Sequence, residues 1–80
     1  MAQKAQEQIF RIRGEFITLD ALLKAVGAVG TGGEGKTLIQ AGSVRVDGEA
    51  EIRRGRKLRG GELVEAGSLR IRLEADASAA

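Results

Sequence analysis

The 80-residue chain contains no cysteine, histidine, proline, tryptophan or tyrosine, and its only aromatic residues are Phe10 and Phe16. Without cysteine and histidine, disulfide frameworks, zinc-finger ligand sets, thiol nucleophiles and imidazole bases are excluded together, and most enzyme mechanisms go with them. Without tyrosine or tryptophan there is little to stack on splayed nucleobases, so any grip on a nucleic acid has to rely on backbone and shape. No proline-rich linker divides the chain and no internal repeat recurs in it. No pair of carboxylates has the surroundings that mark acid–base catalysis. Long apolar runs are missing too. The longest uncharged stretch, residues 25–33, is short and glycine-rich, and the N-terminal MAQKAQEQ lacks the apolar centre of a secretory signal. The expectation is a cytoplasmic protein that is not an enzyme, has no membrane partner and needs no cofactor or metal.

A chain of this size makes one domain, and such a domain buries only roughly 60% of the surface its unfolded chain exposes. Thirteen basic and eleven acidic residues leave a net charge of +2, so the overall balance barely favours a polyanion. The distribution is more informative. Residues 52–59, IRRGRKLR, carry Arg53, Arg54, Arg56, Lys57 and Arg59 with no acid among them, whereas the carboxylates gather on either side of this run.

Phe10 and Ile12 alternate with Arg11 and Arg13, the period of a half-buried strand, and Gly14 turns the chain. Leu69, Ile71 and Leu73 alternate in the same way near the other end, so the two terminal strands are candidates to pair. Thr18 is placed to cap a helix whose apolar face is Leu19, Leu22, Leu23 and Val26, with Gly27 as its stop. Thr31 and Glu34 form the S/T-x-x-E capping box of a second helix, which runs through Leu38 and Ile39 to Gly42. Val44 and Val46 restore a period of two, Asp47-Gly48 signals a type I′ turn, and Ile52 is assigned to the returning strand. Gly60-Gly61 and Ala66-Gly67 turn the chain into and out of a strand at Leu63 and Val64. The fold class is α+β: two short helices packed on a small antiparallel sheet. Residues 1–7 and 75–80 read as disordered tails.

Residues 30–37, GTGGEGKT, satisfy the G-x-x-x-x-G-K-[ST] pattern of a nucleotide-binding loop. Such a loop joins a buried parallel strand to a helix within a large sheet, and the preceding segment here has helical spacing instead. What survives is a more general chemistry. The amides of Gly32 and Gly33, the positive end of a helix and nearby Lys36 form a corner suited to an anion.

Residues 18–48 resemble the S4 domain, an αL-motif RNA-binding module found in a ribosomal protein, pseudouridine synthases, a heat-shock protein and a tyrosyl-tRNA synthetase. The family pattern R-L-D-x-x-L-x-x-x-G-x-x-x-S-R-x-x-A-x-x-L-I-x-x-G-x-V-x-V-N-G lies on them without a gap. It is met at Leu19, Asp20, Leu23, Gly27, Leu38, Ile39, Gly42, Val44, Val46 and Gly48, and a later G-D-x-I resembles Gly61-Glu62-Leu63-Val64. Thr18 and Gly32 stand where the family has arginines, Thr31 where it has serine, Gly35 where it has alanine and Asp47 where it has asparagine. Loss of both arginines leaves Lys36 and the 53–59 cluster to carry the charge. The string GGEGK followed by RRGRKLRGGE resembles one branch of short, single-domain bacterial S4-like proteins. The resemblance implies an S4-like domain over residues 8–74.

The resemblance further implies contact with structured RNA, ribosomal or transfer RNA by class, in ribosome assembly or translation; the expected state is a monomer, although the sequence itself is silent on oligomerisation. The candidate RNA-binding residues are Lys36, Arg45, Arg53, Arg54, Arg56, Lys57 and Arg59, with the amides of Gly32 and Gly33. Arg11, Arg13, Arg70 and Arg72 lie on terminal strands and are more ordinary solvent-facing cations. An alternative reading from another class remains open, in which the same cations dock on an acidic protein partner.

Overall fold

A computed structural model describes residues 6–76 of the protein. Of the tails assigned to residues 1–7 and 75–80, residues 1–5 and 77–80 lie outside the described residues, and the other positions have defined contacts: Gln6 and Glu7 lie on a strand and Asp76 accepts from the Gly14 N–H. Strand β1 (Gln6–Arg11) takes in Gln6 and Glu7, because its backbone pairs residue by residue with the last strand whatever its side chains are. The other elements follow in order: β2 (Ile17–Thr18), α1 (Leu19–Ala25), α2 (Gly32–Gln40), β3 (Val44–Val46), β4 (Glu49–Ala50), β5 (Lys57–Leu58), β6 (Leu63–Ala66) and β7 (Leu69–Glu74).

Five strands form one sheet in the order β1-β7-β6-β3-β4, and β2 and β5 form a separate antiparallel ribbon. The α+β class and the two helices agree with the sequence reading. The sheet itself is mixed, not wholly antiparallel. The terminal strands do pair, but in parallel, with Gln6 opposite Leu69 and Arg11 opposite Glu74. A parallel pair needs a long crossover, and here nearly the whole domain lies between the two strands. Ile12, just past β1, extends the pairing through its N–H to the Glu74 carbonyl at 2.9 Å.

One face of the sheet is apolar and the helices cover it. Val44, Val46, Val64, Ala66, Ile71 and Leu73 meet Leu19, Leu22 and Leu23 of α1 and Ile39 of α2, with Ile12, Val29 and Leu58 closing the edges. Of the four positions assigned to the face of the first helix, Val26 is the one left only partly buried.

Both helices end as their glycines foretell. Gly27 has φ of +77°, its N–H donates to the Lys24 carbonyl, and the Ala28 N–H donates to the Leu23 carbonyl. Gly42, with φ of +78°, repeats the arrangement: its N–H donates to Ile39, and that of Ser43 to Leu38. These are two Schellman closures, each requiring a left-handed residue where a side chain would be strained. Asp47 and Gly48 have φ of +53° and +85°, the signs of a type I′ turn. Asp47 also ties the hairpin to β6, donating from its N–H to the Leu63 carbonyl at 2.8 Å and accepting from the Leu63 N–H at 3.0 Å through its carboxylate.

The returning strand is shorter than expected. β4 stops at Ala50, and Ile52 is 62% exposed instead of lying on a strand. The Glu51 N–H still donates to the Val44 carbonyl at 2.9 Å, and the chain then turns at residues 54–55, past the Glu51 side chain that Arg53 and Arg56 are bonded to.

Candidate nucleic-acid interface

The cationic run is exposed along most of its length but is tied down by a buried carboxylate. Glu51 is 6% exposed, although it stands next to five cations in sequence. Its Oε2 accepts from the Arg53 N–H at 3.1 Å and from Arg53 Nε at 3.0 Å. Its Oε1 accepts from Arg53 Nη2 at 3.1 Å and Arg56 Nη1 at 2.9 Å. The hydrogen bonds from Arg53 and then Arg56 pull the carboxyl down to about 2 against the opposing effect of burial, and the same contact raises Arg53. Arg53 and Arg56 therefore have a second task, holding the loop in shape. Arg53 still presents most of its side chain to solvent, whereas Arg56 presents about a third.

The loop is also bonded to α1. Thr18 occupies the N-cap position as expected, but its side chain makes no capping hydrogen bond. Instead the Leu19 N–H donates to the Arg56 carbonyl at 2.9 Å and the Asp20 N–H to the Arg54 carbonyl at 3.0 Å. Two helix donors that would otherwise lack partners are satisfied by the backbone of the cationic loop. Directly after it, β5 pairs Lys57 with Thr18 and Leu58 with Ile17, and Leu58 is fully buried. Arg54, Lys57 and Arg59 are thus exposed on a segment anchored at Glu51, at the start of α1 and at Leu58. An open depression lies among Arg53, Gly55, Arg56 and Lys57.

Lys36 is exposed on α2, in the helix whose first turn contains Gly32 and Gly33. The capping box is half formed. Thr31 Oγ1 accepts from the Glu34 N–H at 3.2 Å, but the Glu34 carboxylate accepts from the Gly30 N–H at 3.3 Å and not from that of Thr31. A carboxylate therefore already stands at the positive end of α2 and weakens its pull on an external anion. The segment before it is a turn leading from α1 and not a strand, so the GTGGEGKT pattern lacks the setting of a nucleotide-binding loop.

A Cβ added at Gly35 would lie 4.0 Å from Asp20 Cβ, and the Asp20 N–H is the one bonded to Arg54. Asp20, bonded through its N–H to the cationic loop, therefore lies close to Gly35 of α2. The same Cβ would meet Val29 Cγ2 at 3.5 Å, an ordinary contact, and Gly35 lies inside a helix. Gly35→Ala is expected to raise the urea midpoint, by about 0.5–1 kcal/mol of stability. A lower midpoint would mean that the two helices cannot accept a methyl group between them.

Arg45 is placed elsewhere. Val44 and Val46 face the core, so Arg45 between them points to the outer face of the sheet, in register with Glu65 on β6. That face alternates in sign: Arg70 Nε lies 3.7 Å from Glu65 and Arg72 Nε 3.7 Å from Glu7. Arg11 lies 3.5 Å from Glu74 at the edge of the sheet. The structure gathers Arg53, Arg54, Arg56, Lys57 and Arg59 on one loop and sets Lys36 in the neighbouring helix, while Arg45 belongs to a surface of paired charges.

Sequence reasoning missed two residues. Glu51 looks like one more surface acid, and only its position directly before the cations hints at its role. Phe16, 38% exposed, has Lys57 Nζ 4.9 Å and Arg59 Cζ 5.7 Å from its ring centroid. Continuing the β2–β5 register by one residue sets Phe16 opposite Arg59, so the scarce aromatic surface of the chain is located at its cations.

The model of the S4 domain family matches residues 10–74, and the chain belongs to that family. The match reaches beyond the motif region into both terminal strands, β1 and β7. Comparison with curated proteins gives no match. The S4 domain is an RNA-binding module and not a catalytic family, which makes RNA the general partner of this chain. Among the described residues no helix is long and apolar enough to cross a membrane, and no cluster of acidic side chains is suited to a metal ion.

Proposed function

We propose that this protein binds structured RNA through its phosphate backbone, with Arg54, Lys57 and Arg59 at the centre of the contact. The solvent-facing sides of Arg53 and Arg56 join them, and Lys36 with the Gly32 and Gly33 amides extends the contact along α2. Arg45 contributes only at long range, from the outer face of the sheet. Ribosomal or transfer RNA is the target class, the setting is ribosome assembly or translation in the cytoplasm, and the protein acts as a monomer. The observation that carries this reading is the anchoring of the 51–59 segment, which presents its cations without a large ordering cost on binding.

Phosphate contacts release counterions, so affinity for a structured RNA should fall steeply with salt. With about 4–6 phosphates neutralised, the log–log slope should have a magnitude of about 4–5. Arg54→Ala and Lys36→Ala should each weaken binding to different sequences alike and reduce the slope by about one. Filter binding or fluorescence anisotropy across a salt series reads both quantities. A flat salt response, or two folded variants that bind as the parent does, counts against the proposal. A clean preparation that instead brings an acidic polypeptide with it would favour the protein-docking alternative.

A further inference from the structure

A recess lies between the edge strand β1 and the β2–β5 ribbon, lined by Ile9, Phe10, Arg11, Arg13, Phe16 and Ile17, with a volume of about 510 Å³. Ile9 is 62% exposed and Phe16 38%, so among the described residues two of the three large apolar side chains left open to solvent meet in one place. The rim is cationic. Arg11 and Arg13 belong to the lining, and Lys57 and Arg59 lie over the Phe16 ring, which makes the recess continuous with the anchored loop. Two acids lie beside these arginines: Glu74 approaches Arg11 at 3.5 Å, and Asp76 shares a depression with Arg11 and Arg13 and accepts from the Gly14 N–H at 3.5 Å.

We propose that this recess receives one unpaired nucleotide of the bound RNA, its base laid against Phe16 and Ile9 and its phosphate held by the surrounding arginines. The inference rests on the RNA-binding reading above and adds to it a preference for RNA with a bulged or flipped-out nucleotide. An unpaired nucleotide combines a flat face that stacks on an aromatic ring with an anionic phosphate a few ångströms away. An apolar floor with a cationic rim complements both parts. A fully paired helix can offer the loop its phosphates but has no free base to place in the recess. Phe16 is already flanked by cations, so an entering base would rest on a surface of ring and guanidinium together.

The test uses the absence of other fluorophores. The chain has no tryptophan or tyrosine, so Phe16→Trp places a single indole at the proposed contact. The full-length variant is titrated with two RNA hairpins of equal length, one fully paired and one with a single-nucleotide bulge. The expected result is quenching of indole emission by the bulged hairpin only. With the parent sequence, the bulged hairpin should bind about tenfold more tightly than the paired one. Phe16→Leu, which keeps apolar bulk and removes the ring, should weaken binding of the bulged hairpin about tenfold more than that of the paired one.

Equal binding of both hairpins by the parent, with a steep salt dependence and no quenching, overturns the inference and leaves the RNA-binding reading intact. Failure of the parent to bind either hairpin removes both. A polypeptide that co-purifies with the parent and is lost with Phe16→Leu would assign the recess to a protein segment and also overturn the inference. A circular dichroism melt of each variant establishes that the fold is retained.

Discussion

Replacing Gly60 with alanine should destabilise the protein by about 3 kcal/mol, lowering its melting temperature by roughly 15 °C, since each kcal/mol shifts a domain of this size by several degrees. Two causes add. Gly60 has φ of +124°, a backbone region that residues with a side chain rarely adopt. The new Cβ would also lie 2.7 Å from the Ala75 nitrogen and 2.8 Å from Ala75 Cβ, so backbone would have to move on one side or the other. The turn cannot shift freely, because the Arg59 and Gly60 N–H groups both donate to the Glu62 carboxylate, at 2.9 and 2.7 Å. Nor can the preceding part of β7, which pairs with β1 and β6. Gly61→Ala separates the two causes. Gly61 has φ of +90° but nothing within 4 Å of an added Cβ, so its variant should cost about 1–2 kcal/mol from the dihedral alone. Equal losses for the two variants, measured by urea unfolding, would show that the chain after Glu74 simply swings away from the turn.

The second large effect is expected at Glu51. Glu51→Gln removes the charge that Arg53 and Arg56 are bonded to, at a cost of about 2 kcal/mol. Most of this comes from the contact with half-buried Arg56, since the Arg53 side chain is 74% exposed and well screened by water. The sign of the pH dependence follows from the direction of the shift. A carboxyl held at about 2 in the folded chain, against 4.5 ordinarily, contributes stability that is complete above pH 4.5 and is lost as the pH falls through about 2. The gap in urea midpoint between parent and variant should therefore be widest near neutrality and shrink between about pH 4.5 and 2. A gap independent of pH in that window would deny the carboxylate its place in the loop.

RNA affinity of the same variant separates charge from order. Removing one acid raises the net charge from +2 to +3, which by attraction alone should tighten binding. Loosening the segment that presents Arg54, Lys57 and Arg59 should weaken it. The anchored loop predicts weaker binding at fixed salt, and tighter binding would mean that Glu51 merely dilutes the cationic charge.

The parts of this structure legible in the sequence are those that depend on a single backbone requirement. Gly27, Gly42 and Asp47-Gly48 occur where a left-handed residue is needed, and each does what its position indicates. Thr31 is legible for the same reason, because the N-cap needs a short oxygen-bearing side chain. Other features depend on what lies opposite a residue in space. The direction of β1 against β7 is set by the path of the intervening chain, on which the alternation of Phe10 and Ile12 is silent. Two-residue strands such as β2 and β5 are too short to carry a period. Glu51 has the same neighbours in sequence whether it points into solvent or under Arg56, so its burial becomes visible only after folding. The cluster at 53–59 is evident from charge alone, but the division between anchoring and exposed cations within it is not. Arg45 could be placed on the far side of β3 once Val44 and Val46 were known to face inward.

Because the Arg54 and Arg56 carbonyls close the first turn of α1, the cationic surface is not a flexible appendage of this domain. It shares the cooperative unit of a helix that supplies Leu19, Leu22 and Leu23 to the interior. Any event that frays the opening turn of that helix must also release the arginines, and whatever fastens the arginines in place lends its binding energy to the interior. Recognition and folding in this small protein are therefore thermodynamically linked through two backbone amides.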